Sequence, residues 1–118
     1  MSATNIFRHA TDSVSFAAGE TIFQEGEAGD VAYGVQEGEV EILVHGTTID
    51  TAGPGSIIGE MALIDSKPRS ATARAKTDCK LVPVDAKRFT FLVQQTPYFS
   101  LNVMRLMAER IRRHLGSV

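Results

Sequence analysis

Cysteine occurs once in this sequence, tryptophan not at all, and histidine three times. The lone Cys79 can form no intramolecular disulfide and cannot hold an iron–sulfur cluster by itself. It lies in an alternating apolar stretch, which predicts a buried, inert thiol. His9, His45 and His114 fall in separate segments. A cupin-type metal centre needs clustered His and carboxylate ligands, commonly with two His close in sequence. None of the three has a Ser or Cys motif beside it that would build an activated nucleophile. No catalytic residue, metal ligand or cofactor is assigned, and an enzyme is not expected. No apolar run approaches the roughly 18–20 residues of a membrane helix. Met1 to Asn5 shows no basic segment followed by an apolar one, so no secretory signal is read and a cytoplasmic location is expected. An excess of basic charge is also missing. Twelve Lys and Arg stand against 14 Asp and Glu, so the basic footprint of a nucleic-acid reader is absent. The local cluster Arg105, Arg110, Arg112, Arg113 and His114 reads as a solvated helix face near a helix C-terminus.

What the chain does contain is β-patterning punctuated by glycine. Its 118 residues suit one domain with one core, with no linker or repeat to divide it. A short helical entry is expected over 5–12. From about Val14 to Asp85 short β-rich runs follow one another. They are Val14–Phe16, Thr21–Phe23, Val31–Glu37, Glu39–Val44, Thr47–Ala52, Ser56–Ile58, Ser70–Ala75 and Cys79–Val84. His45-Gly46 is expected to make a tight turn, and Gly53-Pro54-Gly55 a break. Many short strands at such spacing suggest a sandwich or a closed barrel. After Asp85, a candidate helix N-cap, the period changes to that of helices. Pro97 suits the opening of a second helix, and Gly116 its stop. Met104, Met107, Ala108, Ile111 and Leu115 fall at spacings of three and four, one apolar stripe. The stripe is read as packing against the β domain, with a dimer seam as the alternative.

The segment from Gly59 to Thr72, GEMALIDSKPRSAT, carries the chemistry. Gly59 lets the backbone come close to a ligand. Glu60 to Leu63 can form one helical turn whose free N–H groups face an anion. Arg69 can bring a planar guanidinium onto the same anion and hold two oxygens, with the Ser70 hydroxyl and N–H beside it. Glu60 does not suit a phosphate. As an acceptor it suits a sugar hydroxyl, so cation and carboxylate together read as a phosphate attached to ribose. The plain alternative is an ion pair of Glu60 with Arg69 or a nearby lysine that stabilises a loop.

Beyond that pair, Gly59-Glu60-Met61-Ala62-Leu63 with Pro68-Arg69-Ser70-Ala71-Thr72 resembles the phosphate-binding cassette of cyclic-nucleotide-binding domains. Phe16 to Phe23, Glu25 to Asp30, Gly38-Glu39-Val40 and Asp85 to Phe89 resemble the same family's other elements, in the same order across roughly 14–115. The resemblance implies a mainly β fold with flanking helices: an eight-stranded antiparallel β-roll (a jelly roll, or double-stranded β-helix) over about 14–85, with C-terminal helices over about 86–115. It implies that Arg69 grips a cyclic phosphate and that Glu60 accepts a hydrogen bond from the ribose 2′-hydroxyl. Gly59, Met61, Ala62 and Ser70 would supply contacts near phosphate and sugar. Ile58 is a candidate for touching the base. Glu41 is a candidate for pairing with Arg69, a solvated strand residue being the equal alternative.

The chain departs from the family pattern in two ways. It ends at Val118, soon after Leu115, so no helix-turn-helix DNA reader is expected. No aromatic follows Phe99 to close the site as in other members, so a lid from a second subunit or another protein is a candidate. Haem or iron–sulfur sensing, known in relatives, has no ligands here. Where some members place a threonine after the arginine and favour cGMP, this chain has Ser70, and Arg-Ser is more like the prokaryotic cAMP-responsive members. The expectation is a cytoplasmic sensor of cAMP, cGMP being second. It signals by moving its C-terminal helices against a twin subunit or effector protein. The alternative is a scaffold that kept the fold and lost the ligand.

Overall fold

A computed structural model describes residues 5–65 and 67–114. Two compact units make it up, residues 1–86 and 87–118. The first contains β1 (Val14–Phe16), β2 (Thr21–Phe23), β3 (Ala32–Glu37), β4 (Val40–Val44), β5 (Thr47–Ala52), β6 (Ile57–Ile58), the single turn α1 (Met61–Ile64), β7 (Thr72–Ala75) and β8 (Cys79–Val84). These strands form two four-stranded sheets, ordered β1-β8-β3-β6 and β2-β7-β4-β5, with every pairing antiparallel. The expected eight-stranded antiparallel roll is the observed fold.

Alternation of side chains across each strand builds the core. Val35, Ile58, Cys79 and Leu81 come from one sheet and Val40, Ile42, Ala52, Ala73 and Ala75 from the other, all buried in one cluster. Small alanines on β5 and β7 leave room for the larger side chains opposite. Cys79 is buried as expected, and its thiol donates to the Glu39 and Thr77 carbonyls at 3.1 and 3.2 Å. Burial pushes its pKa up, offset in part by the Thr77 hydrogen bond. His45 (φ 51°) and Gly46 (φ 81°) make the β4–β5 turn, the two positive φ values a tight hairpin needs.

Strand ends shift where long-range bonds take the backbone. Val31 lies outside β3, because its carbonyl accepts from the Arg69 side chain. Glu39 lies outside β4, its carbonyl shared by the Lys76 and Thr77 amides. The expected helical entry over 5–12 is instead a set of turns. The Asn5 side chain accepts from the Phe7 amide, while Gln36 Nε2 donates to the Phe7, Arg8 and Ala10 carbonyls. The local bonds stop at two isolated turns, Arg8 N–H to the Asn5 carbonyl and Ala10 N–H to the Phe7 carbonyl. Phe7, almost wholly buried, seats its ring against Gly34, where any Cβ would collide with it.

In the second unit α2 (Ala86–Gln95) and α3 (Pro97–His114) follow β8. They open after Asp85 and at Pro97, the two expected helix starts. The Phe89 and Phe99 rings meet edge to face, 5.3 Å between centroids. The expected apolar stripe is corrected here. The buried positions of α3 are Phe99 and Val103, one turn apart, whereas Met104 and Ile111 are each 57% exposed and Ala108 is exposed. Met104 sits roughly 100° around the helix from Val103, so burial of one face leaves the other out. Leu115 and Gly116 lie outside the described residues.

Candidate functional site

The site is a loop pair built around Arg69. Its backbone is clamped on both sides by the β2–β3 loop. The Arg69 amide donates to the Glu27 carbonyl and the Gly26 amide to the Arg69 carbonyl, each at 2.8 Å. One residue earlier, the Glu25 amide donates to Thr72 Oγ1 at 2.9 Å, fixing the loop to the start of β7. The side chain then runs inward and is only 9% exposed. Nη2 donates to the Val31 carbonyl at 2.7 Å and Nη1 to the Gly59 carbonyl at 3.4 Å. Its Cζ lies 4.1 Å from the centroid of the Phe23 ring.

Glycine makes this approach possible. Gly59, at φ 72°, adopts a left-handed conformation. A Cβ there would lie 2.7 Å from Arg69 Nη1, and one on Gly29 would fall within the guanidinium. Burial pushes the guanidinium pKa down from its ordinary value, while the charges of Tyr33, Asp30 and Glu27 pull it back. A guanidinium has five N–H donors and stays charged in proteins. Nε of Arg69 is buried with no hydrogen-bond partner, the only such side-chain atom found among the described residues. An unpaired buried donor costs free energy, more so on a charged group.

The other residues named from sequence gather nearby or fall away. Glu60 is 3% exposed and stands at the N-cap of α1, without a side-chain cap bond. Ala62 is buried, and Met61 is exposed with its sulfur accepting from Ser70 Oγ at 3.8 Å. The α1 turn closes on itself: the Ala62 and Leu63 amides donate to the Gly59 and Glu60 carbonyls. Those two amides are thus not the free outward N–H groups expected of this turn.

Ile58 is 0% exposed in the core cluster, so its side chain faces the other sheet and not a ligand. Glu41 does not pair with Arg69. It lies across from Arg74 in the β4–β7 register, accepts from Arg74 Nη2 and Thr48 Oγ1 at 3.4 Å each, and leaves the Arg69 position to main-chain carbonyls. Sequence reading passed over Phe23, Gly29, Asp30 and Val31. The Gly-Asp pair ending that loop and an aromatic at a strand end were the available signals.

A two-sheet antiparallel roll carrying a loop-borne, buried arginine has the architecture of the jelly-roll domains. Comparison with known proteins gives the family. The model described as Cyclic nucleotide-binding domain matches residues 13–96, and the chain belongs to that family of ligand-binding regulatory domains. Among solved structures, it is similar to cAMP-bound PfPKA-R (141-441), at 32% identity and a TM-score of 0.74. That match covers 86% of this chain and 35% of that one, so this chain spans about a third of its relative's length. It is similar to the EAL enzyme Bd1971 in its cGMP-bound form, at 36% identity, a TM-score of 0.65, and 87% and 29% coverage. It is also similar to the N-terminal domain of a transcriptional regulator from Streptomyces coelicolor A3(2), at 31% identity, a TM-score of 0.61, and 95% and 81% coverage.

Proposed function

We propose that this cyclic-nucleotide-binding domain is a non-enzymatic sensor working in the cytoplasm, with cAMP its preferred ligand and cGMP the weaker one. One observation carries the reading. Arg69 is held in place by two carbonyls, yet its buried Nε has no acceptor. A cyclic phosphate oxygen is the acceptor that fits, since it is anionic, compact and able to bridge neighbouring N–H donors. Glu60, equally buried on the same loop pair, accepts the ribose 2′-hydroxyl. Gly59, Met61, Ala62 and Ser70 line phosphate and sugar. Cyclic AMP is favoured because Arg69 is followed by serine and not threonine. Of the similar structures, PfPKA-R holds cAMP, and Bd1971 has been captured with cGMP and with cAMP.

Ligand acts by population shift. It binds one arrangement of the domain better than another and so biases α2 and α3, which follow β8 directly. The exposed Met104, Ala108 and Ile111 then present a surface to a twin subunit or an effector protein.

Titration calorimetry with cAMP, cGMP and 5′-AMP tests the reading. Micromolar or tighter binding of cAMP, weaker binding of cGMP and none of 5′-AMP is expected. Failure of both cyclic nucleotides to bind would overturn it and leave a scaffold that kept the fold without the ligand.

A further inference from the structure

We infer that Phe23 is a positioning residue for Arg69: its ring is the seat that fixes the guanidinium plane and keeps Nε aimed at the ligand. The inference deepens the cyclic-nucleotide reading and rests on it for its affinity test, but not for its ligand-free test.

Three observations carry it. The guanidinium carbon stands 4.1 Å from the Phe23 ring centroid, within the range of a cation–π contact. The ring itself cannot drift. Tyr33 stacks on it at 6.3 Å and 20°, and Phe16 meets Tyr33 edge to face at 6.3 Å and 85°. All three aromatics pack against the core cluster, so the stack is anchored in the roll. Finally, the ring edge runs beneath the cassette, where a Cβ on Gly59 would lie 3.1 and 3.2 Å from Phe23 Cε2 and Cζ. Gly59 thus touches ring and guanidinium together.

The two carbonyl bonds locate the far nitrogens of Arg69, but a planar group held at two points still tilts about the line joining them. A ring face below restricts that freedom, since the guanidinium is attracted to it. The guanidinium is buried and the ring half-buried, which strengthens the contact. Phe23 is placed for this at the end of β2, its backbone paired with Ala73 of β7, three residues before Gly26, which with Glu27 clamps the Arg69 backbone. Backbone and side chain of Arg69 are therefore held from the same pair of segments.

The test compares Phe23→Leu, Phe23→Tyr and Phe23→Trp, each checked for an unchanged urea unfolding midpoint. Phe23→Leu keeps an apolar side chain and loses the ring. It should weaken cAMP binding about tenfold, while the aromatic variants stay within about threefold of the parent. In an Arg69→Ala background, Phe23→Leu should have no further effect on binding. A loss that is equal for leucine and the aromatics, or unchanged without Arg69, would overturn the inference.

A second measurement needs no ligand. In the free protein the Arg69 Hε resonance should lie upfield of ordinary arginine, from the ring current of Phe23, and return in Phe23→Leu. An ordinary Hε shift in the parent protein would overturn the seat whatever the binding result. A parent that shows the upfield shift but binds no cyclic nucleotide would contradict the proposed function and leave the seat standing.

Discussion

Arg69 shows how a single residue can be folded into place and still be incomplete. Its carbonyl partners come from Val31 and Gly59, 38 and 10 positions away in sequence. Gly29 supplies the space rather than a bond. Alanine at Gly29 would push the guanidinium off its seat without any backbone strain, since φ there is not in the left-handed region. Gly29→Ala should therefore lose cAMP binding at least about tenfold, the worth of one charge-assisted hydrogen bond, while the protein stays folded. Circular dichroism beside calorimetry separates the two effects. Glu60 makes a complementary case. If it receives the ribose hydroxyl, 2′-deoxy-cAMP should bind the parent about 10- to 100-fold more weakly than cAMP, and Glu60→Gln should shrink that gap. An unchanged gap would remove Glu60 from the sugar site. Arg69 and Glu60 stood out in the sequence through the cassette they resemble, since residue type and spacing alone equally suit a loop ion pair. Phe23, Val31 and Asp30 did not, because only the closing of the roll brings them to Arg69. Cys79 behaves as its alternating surroundings suggested. Burial raises its pKa, so the folded chain favours the neutral thiol more than the unfolded chain does. Its stabilising effect is complete below the unfolded thiol value of about 8.5 and is lost as pH rises through the higher folded value. The urea midpoint should fall from about pH 8 to about pH 10, and less steeply in Cys79→Ala. Equal slopes would show that the thiol plays no part.

At the scale of elements, the strands followed the sequence closely because alternation and glycine punctuation act locally. The misread elements are those set by distant partners. The entry over 5–12 is a set of turns because Gln36, on β3, takes three of its carbonyls. Periodicity in a short segment gives no warning of such a bond. The same segment carries Phe7 into its seat over Gly34, opposite Ile57 in the β3–β6 register. Phe7→Ala should destabilise the roll by about 3–5 kcal/mol, the range for emptying a buried aromatic site. A denaturant midpoint unchanged by that variant would mean that the turn packs independently of the sheet. Burial of the α3 stripe, the packed reading of the two, was misread for a related reason. Spacings of three and four identify an apolar face, but an 18-residue helix carries more than one, and sequence does not say which is covered.

Seen whole, the molecule joins a roll whose fold is fixed by its core to a second unit of two helices. Among the described residues no helix is long and apolar enough to cross a membrane. A ligand that binds only the folded roll stabilises it by mass action, about 2.7 kcal/mol at a hundredfold excess over Kd, so the melting temperature should climb with cAMP concentration. If the helices respond to that ligand, hydrogen-exchange protection across 86–114 should change on saturation. Identical protection would confine the effect of ligand to the roll. Narrower than either result is the role proposed for Arg69, whose unpartnered Nε would donate to a cyclic phosphate oxygen. Following the Arg69 Nε–Hε resonance by proton–nitrogen NMR during a cAMP titration tests it directly. A saturable downfield shift with slowed solvent exchange is the predicted result. A resonance that does not move while cAMP is demonstrably bound would contradict the claim.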